Sequence, residues 1–345
     1  MPSSRLGSKS VAISPRDRVC GGVSASMERM TPQDTDEFAG AGHLPRIPAH
    51  LLAELTRVDS WRAVRDLALD AAVIVLAAWF AEAVGNPLAY LLAVILIGVR
   101  LHALAVLMHD ATHYRLFGNR RSNEYTGEVL AWLFLFTLHG YRKNHFAHHR
   151  HLNTDDDPDW ARKKDDPYFA LPQDGKGVAV RLLKGICGVR FFTEARNIAR
   201  AKHLQHAPRS LKIRRGLFYG AVLASAAYWQ LWPLLLKYWI VSVMTTLAFI
   251  LYVRSLAEHH GGAMIWDGDM LRGSRHLDAT WWEKFLLAPH NVHYHVDHHL
   301  YPSVPYYNLP RLHALLLAQP EYVARAHITD GYCTGLRREC VRPAL

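Results

Sequence analysis

Residues 87–108 read PLAYLLAVILIGVRLHALAVLM, and the pentapeptide HDATH follows them directly at 109–113. An apolar run of this length is close to the ~20 residues that an α-helix needs to cross ~30 Å of hydrocarbon at ~1.5 Å per residue. Three further apolar runs occupy residues 67–84, 216–232 and 234–253. The chain is therefore predicted to be an all-α integral membrane protein with four transmembrane helices.

The distribution of basic residues predicts which side of the membrane each polar segment occupies. Segment 109–215 contains roughly half of the Lys and Arg residues, whereas the turn at 85–87 has none and the turn between the last two runs has only Lys237. Cytoplasmic loops carry the excess of Lys and Arg, so both termini and segment 109–215 are predicted to face the cytoplasm. The net charge of +10 then indicates membrane lipids, and not nucleic acid, as the partner.

The ends of the chain differ in composition from its middle. Residues 1–45 are rich in Ser, Arg, Gly and Pro and lack apolar periodicity, which predicts a disordered cytosolic tail without a signal peptide. Met27 or Met30 is an alternative initiator. We assign residues 46–325 to a membrane domain and residues 326–345 to a C-terminal tail. The four Cys residues form no CxxC pair, so neither a disulfide framework nor a zinc finger is expected.

Polar residues interrupt two of the apolar runs. Asp70 is an acid near the start of the first run, and Arg100 and His102 lie within the second. A charge that faces lipid is costly, so Arg100 and His102 are expected to face the protein interior or to extend towards the interface. A packed polar pair and a functional pair both remain open.

Three short clusters hold eight of the 22 histidines. HDATH spaces its two histidines by four residues, and HFAHH and HVDHH share the spacing i, i+3, i+4. Such residues lie on one face of a helix, so each cluster projects its imidazoles in one direction. Chance gives only ~0.09 copies of HxxHH in this chain, and eight imidazoles are too many for one iron, zinc, copper or nickel ion. The clusters therefore predict a two-metal site built from His109, His113, His145, His148, His149, His295, His298 and His299.

The predicted topology suggests a ninth ligand. The second and fourth spans both run towards the cytoplasm, so His109 and the tripeptide Glu258-His259-His260 emerge on the face where the other clusters lie. His259 is the expected extra ligand and His260 is its competitor. Asn291 precedes His295 by four residues and is expected to join the metal shell directly or through a water.

Three carboxylates neighbour the predicted ligands in the sequence. Asp110, Glu258 and Asp297 are expected either to accept the second ring N–H of an imidazole or to be solvated at a helix end. No catalytic residue is assigned beyond the metal ligands. A non-catalytic metal-binding protein or metal transporter is the alternative class, although transporters usually place their ligands at mid-membrane.

At these residues the sequence resembles the membrane fatty acid desaturase superfamily, over roughly residues 60–320. The elements that carry the resemblance are HDATH, YRKNHFAHHRHLNTDDDPDW, VRSLAEHH and APHNVHYHVDHHLYPSVPYYNLPRLH, and the last is similar to bacterial acyl-lipid desaturases. The resemblance implies four spans with a cytoplasmic helical cap in a bacterial inner membrane. It also implies a non-haem di-iron centre on the nine histidines, O2 as co-substrate, and a water-mediated contact for Asn291.

The function that the resemblance implies is O2-dependent desaturation of a fatty acyl chain or similar substrate. The chain has no HPGG haem motif, so electrons are expected from a separate ferredoxin or cytochrome b5 type of protein. Two alternatives use the same ligands: a hydroxylase or ketolase of carotenoids, alkanes or sterols, and a desaturase of a small metabolite such as dihydrorhizobitoxine. His290 and His293 stand where relatives often have Asn, which leaves the substrate open.

Overall fold

The computed structural model describes residues 45–200, 208–261 and 269–342, which are predominantly helical. The predicted tail at 1–45 and both alternative initiators lie outside these residues, apart from Pro45. The described helices are α1 Ala49–Leu55, α2 Ser60–Val84, α3 Pro87–Thr112, α4 Arg120–Leu133, α5 Leu138–Arg150, α6 Pro158–Lys163, α7 Gly175–Ile186, α8 Val189–Arg200, α9 Arg209–Tyr228, α10 Trp232–Leu234, α11 Ala248–His259, α12 Trp281–Leu286, α13 His295–Leu300, α14 Leu309–Leu317, α15 Pro320–Arg325 and α16 Gly331–Cys340. The described strands are β1 His276–Leu277 and β2 Ile328–Thr329, and 3₁₀ turns occupy Pro289–Asn291 and Tyr306–Asn308.

Helix α3 is the central element of the fold. It begins where the side chain of Asn86 accepts the amide N–H of Ala89 (2.9 Å) and Pro87 occupies the first turn, a favourable helix start. It packs against α2, α4 and the stretch Trp232–His259. Its apolar window is 67% buried, against 11% and 28% for the windows of its two apolar neighbours, so the other long helices surround it.

Three helical stretches in the described part of the chain are long and apolar enough to cross a membrane. They are Ala49–Val84, Pro87–Thr112 and Trp232–His259, and they contain the first, second and fourth predicted spans. The third predicted span, 216–232, overlaps α9, whose first two turns carry four basic residues. The span at 216–232, and with it the total of four spans, remains a prediction, as does the cytoplasmic cap.

The stretch Trp232–His259 contains two π-helical turns, Leu235–Ile240 and Val243–Leu247. It packs closely on α3, where Ser242 Oγ donates to the carbonyl of Val94 at 3.0 Å. At Gly98 of α3, an added Cβ would lie 2.4 Å from Cβ of Thr246. Small residues allow helices to approach closely in membranes, so Gly98 sets the distance between these two helices.

The segment 326–345, predicted as a tail, is packed into the fold over its described part, 326–342. Strand β2 pairs in parallel with β1, with Ile328 opposite His276. Helix α16 then packs against α11, and its Tyr332 is fully buried. The sequence did not indicate this packing, because the segment is polar and short and its order comes from contacts with distant residues.

The close contact at Gly98 predicts that a single added methyl group destabilises the protein. In Gly98→Ala, overpacking against Thr246 should cost about 1–3 kcal/mol and lower the thermal unfolding midpoint in detergent. Gly216→Ala on α9 is the matched control, since an added Cβ there meets nothing within 4 Å. Equal midpoints for the two variants would contradict the packing of Thr246 on Gly98.

Candidate metal centre

The first histidine pair ends helix α3. His109 lies in its last turn and His113 is its C-cap residue. Arg142 of α5 donates to the carbonyls of Thr112 (2.9 Å) and Ala111 (3.3 Å). The last carbonyls of a helix lack partners within the helix, so Arg142 satisfies them and ties α3 to the helix that carries the second histidine cluster.

Helix α5 carries the second cluster, and two side chains fix where it begins. Thr137 Oγ1 accepts the amide N–H of Gly140 at 3.0 Å. Glu128 of α4 accepts the amides of Leu138 (3.1 Å) and His139 (3.0 Å). A carboxylate at a helix N-terminus is electrostatically favourable, and this double cap sets the rotation of α5 that buries all three histidines of the cluster.

Helices α13 and α11 supply the remaining histidines. The third cluster occupies α13, and His295, His298 and His299 are buried there. His259 is the last residue of α11 and is also buried. The predicted nine histidines therefore come from the ends of α3 and of the stretch Trp232–His259, and from the helices α5 and α13.

Five of the nine histidines form a first metal-ligand group, and their ligand atoms all lie within 4.8 Å of one another. Its members are His109, His113, His145, His149 and His298. The Nε2 atom of His145 lies 2.8 Å from that of His113 and 3.0 Å from that of His149. The Nε2 atoms of His149 and His298 are 3.2 Å apart.

The other four histidines make up the second group. Within it the ligand atoms of His148, His259 and His299 lie within 4.8 Å of one another, and so do those of Glu258, His259 and His295. Nε2 of His295 lies 2.6 Å from Nε2 of His259 and 3.2 Å from Nε2 of His299. The rings of His149 and His299 stack with centroids 4.3 Å apart, so the two groups adjoin. The structure brings together all nine histidines that the sequence singled out.

The neighbouring His260 is placed differently from His259. Its Nδ1 lies 2.8 Å from the carbonyl oxygen of Ser255, and its ring packs on Phe169 with centroids 4.6 Å apart. Burial lowers the pKa of His260 to about 3. His259, and not its competitor, faces the other histidines because α11 ends there and the backbone turns to an extended conformation at His260.

The donor set suits metal ions better than hydrogen bonds. A neutral imidazole has one N–H, yet Nε2 of His145 faces two other Nε2 atoms, so this row cannot be satisfied by hydrogen bonds alone. Ligands at right angles around an ion, each ~2.1 Å from it as for zinc, would be about 3 Å apart, close to the observed separations. Burial lowers the pKa of His145, His149 and His298 well below the usual value, which keeps them neutral as ligands must be.

Asp157 is the carboxylate that the structure places on a ligand histidine, and the sequence analysis missed it. It is fully buried, and its Oδ2 lies 2.8 Å from Nδ1 of His148. Its Oδ1 accepts the amides of Asp159 (2.8 Å) and Trp160 (3.3 Å), which caps α6. A carboxylate on the second ring nitrogen fixes the tautomer and orientation of a ligating imidazole. In the sequence, the Asp157-Pro158 pair indicates the start of a helix. It does not indicate the contact between Asp157 and His148.

Glu258 has a different partner from the one expected. Its two carboxylate oxygens accept from Nε (2.7 Å) and Nη2 (2.8 Å) of Arg254, and its nearest approach to His295 Nε2 is 3.8 Å. Although it neighbours a ligand in sequence, its carboxylate is already bound by a guanidinium one turn earlier on α11.

Asp110 and Asp297 also bind groups outside the nine histidines. Asp110 accepts the amide N–H of Tyr306 at 2.9 Å, and its other oxygen is 3.7 Å from His109 Nδ1, beyond hydrogen-bond distance. Asp297 accepts from Tyr322 Oη at 2.5 Å, and its second oxygen lies 2.9 Å from Nδ1 of His313. Both carboxylates therefore anchor the segments that carry the ligands.

Asn291 does not share a helix face with His295, contrary to the spacing argument. His290 and Asn291 have φ values of 53° and 60°, and α13 begins only at His295. The side-chain amide of Asn291 donates to the carbonyl of Tyr306 at 3.2 Å. A contact of Asn291 with a metal, direct or through water, remains a prediction.

Comparison with known proteins places this geometry in context. A family model described as fatty acid desaturase matches residues 85–330. The chain is 26% identical to a beta-carotene ketolase of Paracoccus sp. over 68% of this chain and 83% of the ketolase. It is 27% identical to the dihydrorhizobitoxine desaturase of Bradyrhizobium elkanii, over 68% and 69% of the two chains. It is 25% identical to the chloroplastic sn-2 acyl-lipid omega-3 desaturase (ferredoxin) of Arabidopsis thaliana, over 82% and 66%.

The contact between Asp157 and His148 predicts that this carboxylate tunes metal binding. Asp157→Asn should weaken metal affinity about 10–100-fold in chelator competition, because the amide orients the imidazole less firmly and leaves it less basic. Asp156→Asn, at the exposed neighbouring position, is the matched control. Unfolding of the metal-free variants, measured in parallel, separates loss of the α6 cap from loss of metal affinity. Equal metal affinity in the two variants would contradict the assignment.

Proposed function

Because the chain belongs to the fatty acid desaturase family, we propose that it is a membrane-bound di-iron oxidoreductase that uses O2 to desaturate an acyl chain or a similar substrate. The observation that carries the proposal is the meeting of nine histidines, eight of them buried and His109 half-buried, in two adjoining groups. In this assignment the first group holds one iron ion and the second group holds the other. Overall, O2 takes up the two hydrogens of the substrate together with two electrons and two protons. The products are a C=C bond and two water molecules.

The histidines contribute geometry to this reaction. When bound, the iron pair would supply the O2 chemistry that cleavage of an unactivated C–H bond requires. Four helices hold the imidazoles, so the separation of the two groups is fixed by the packing of α3, α5, α11 and α13. The ring of Tyr141 lies parallel to that of His145, with 10° between the planes and 5.4 Å between the centroids, and shields it from water.

The position of the site supports an apolar substrate. His109 follows directly on the apolar length of α3, so the metal groups lie at the end of a membrane-spanning helix. Large apolar side chains such as Trp79 and Leu88 are exposed on α2 and α3, where they face hydrocarbon in a bilayer. This arrangement favours a substrate that is dissolved in the bilayer.

The reaction consumes two electrons per turnover, and we expect a separate protein to supply them. A ferredoxin or cytochrome b5 type of donor fits the basic segment 109–215, because acidic electron carriers associate with basic faces by electrostatic steering. The word ferredoxin in the name of the Arabidopsis relative supports this choice. Positive-inside reasoning supports a cytoplasmic location for the segment and the site. We propose that the membrane is a bacterial inner membrane.

Two other reactions are supported by relatives that are similarly identical to this chain, at 26% and 27%. A beta-carotene ketolase points to oxygen insertion into a carotenoid, and a dihydrorhizobitoxine desaturase points to a small polar metabolite. Both reactions would use the same nine histidines. A non-catalytic metal-binding or transport protein, the other alternative from the sequence, has no counterpart among these relatives.

Product analysis tests the reaction. We expect that a host without desaturases, given this protein and a ferredoxin system, will accumulate lipids that lack two hydrogens. Mass spectrometry of cultures fed acyl lipids, beta-carotene or dihydrorhizobitoxine distinguishes loss of two hydrogens from gain of oxygen. An oxygenated product would assign the ketolase or hydroxylase reaction. Unchanged products from every substrate would contradict an enzymatic role.

His148→Ala tests the metal assignment. We expect it to abolish turnover and to lower the iron content per chain, because His148 belongs to the second group and its loss opens that shell. The protein should remain in the membrane fraction. His139→Ala, at an exposed position of the same helix α5, should retain iron and turnover. Full activity of the His148 variant would overturn the assignment.

A further inference from the structure

Two of the carboxylates of helix α2, those of Asp66 and Asp70, lie one helical turn apart. Both are buried, although α2 is otherwise largely exposed to the surroundings. An ionisable group within a membrane span is costly unless it is paired, and such groups usually have a functional role. Neither carboxylate contacts the nine histidines, so a role as metal ligand does not account for them.

Asp70 holds the segment that precedes the third histidine cluster. Its Oδ2 lies 2.8 Å from Nε2 of His290, and its Oδ1 accepts from Nη1 of Arg100 at 3.2 Å. The same guanidinium donates through Nη2 to the carbonyl of Phe285 at 3.2 Å. The Asp70–Arg100 pair therefore fixes both ends of residues 285–290 against the first two spans.

Asp66 holds the segment that follows the cluster. Its Oδ2 accepts a hydrogen bond from Tyr306 Oη. Its other oxygen accepts from Nε of Arg65 at 2.7 Å, which balances its charge. The amide of Tyr306 is held independently by Asp110 of α3. The two carboxylates of α2 thus contact His290 before the third cluster and Tyr306 after it.

The segment between these two contacts has little stability of its own. Helix α13 has only six residues, fewer than an isolated helix needs in water. His290 and Asn291 are both in the left-handed backbone region, which non-glycine residues keep only when surrounding contacts hold them. The placement of His295, His298 and His299 therefore depends on how the flanking residues are held.

We propose that Asp66 and Asp70 are positioning residues for the metal centre, because they hold both flanks of the third histidine cluster against the first membrane span. Arg100 balances the charge of Asp70 and extends its hold to the end of α12. The inference rests on the proposed function, since it takes the third cluster as metal-ligating. It adds that a membrane span without any ligand controls how firmly the metal is bound.

The test uses full-length protein and the pair Asp70 and His290. His290→Gly removes the imidazole but suits the left-handed backbone, and it leaves the Asp70–Arg100 pair intact. Asp70→Ala removes the other partner. Each variant should lose iron affinity about 10–100-fold in chelator competition, as for other partners that orient ligands.

A double-mutant cycle separates positioning from general stabilisation. The double variant should bind iron no more weakly than the weaker-binding single variant, because both substitutions remove the same contact. The thermal midpoint of the metal-free His290→Gly protein should stay within a few degrees of wild type. Glu82→Gln, on the same helix but paired with Lys237 and Tyr238 far from the cluster, should leave iron affinity unchanged.

Three results would overturn the inference: wild-type iron affinity in His290→Gly, additive effects in the double variant, or loss of affinity that only follows loss of metal-free stability. If Asp70→Ala fails to accumulate because Arg100 is left unpaired, Asp70→Asn replaces it in the cycle. Wild-type protein that binds no iron would instead contradict the proposed function. If wild-type protein binds iron and turns over, and the variants bind iron with wild-type affinity, only this inference would be contradicted.

Discussion

Nine imidazoles must be held neutral, out of water and within a few ångströms of each other, and the rest of the structure follows from that requirement. No single element carries more than three of them, so four helices have to end or begin at one place. Helix α3 is both the most buried apolar helix and the carrier of His109. Arg142 joins its end to α5, and Glu128 fixes the rotation of α5. These contacts are specific because a small rotation of any one helix would separate the nitrogens.

The histidine clusters could be predicted from the sequence because helical spacing is local. The pattern i, i+3, i+4 identified the histidines of α5 and α13 that meet in the structure, without knowledge of any distant contact. His259 followed from the expectation that two spans end on one face, and the structure distinguishes it from His260. The family resemblance, and with it the expectation of oxidoreductase chemistry, rested on the same clusters.

Features that depend on tertiary contacts were not predicted. Asp157 binds His148 only because the chain reverses between α5 and α6, and spacing alone does not show that turn. Asn291 was placed on a helix that begins four residues later, because spacing does not show the left-handed backbone at His290 and Asn291. The segment 326–342 looked like a tail, yet β2 pairs with β1 across about fifty residues. The carboxylates Asp110, Glu258 and Asp297 were noticed, but their partners were not.

The polar residues of the spans, which the sequence left open between packing and function, form two networks beside the metal groups. His102 accepts from Arg254 at 2.9 Å, and Arg254 holds Glu258 next to His259. Asp70 and Arg100 hold the approach to the third cluster. Both networks connect a membrane helix to a segment that carries the clustered histidines. The position of those histidines therefore depends on the packing of the membrane helices.

The central claim is that each of the two histidine groups holds an iron ion. Elemental analysis of purified full-length protein, combined with Mössbauer spectroscopy after loading with isotopically enriched iron, tests it most directly. The account predicts two iron ions per chain with nitrogen-rich coordination. A single zinc ion per chain, or iron that does not bind under anaerobic loading, would contradict it.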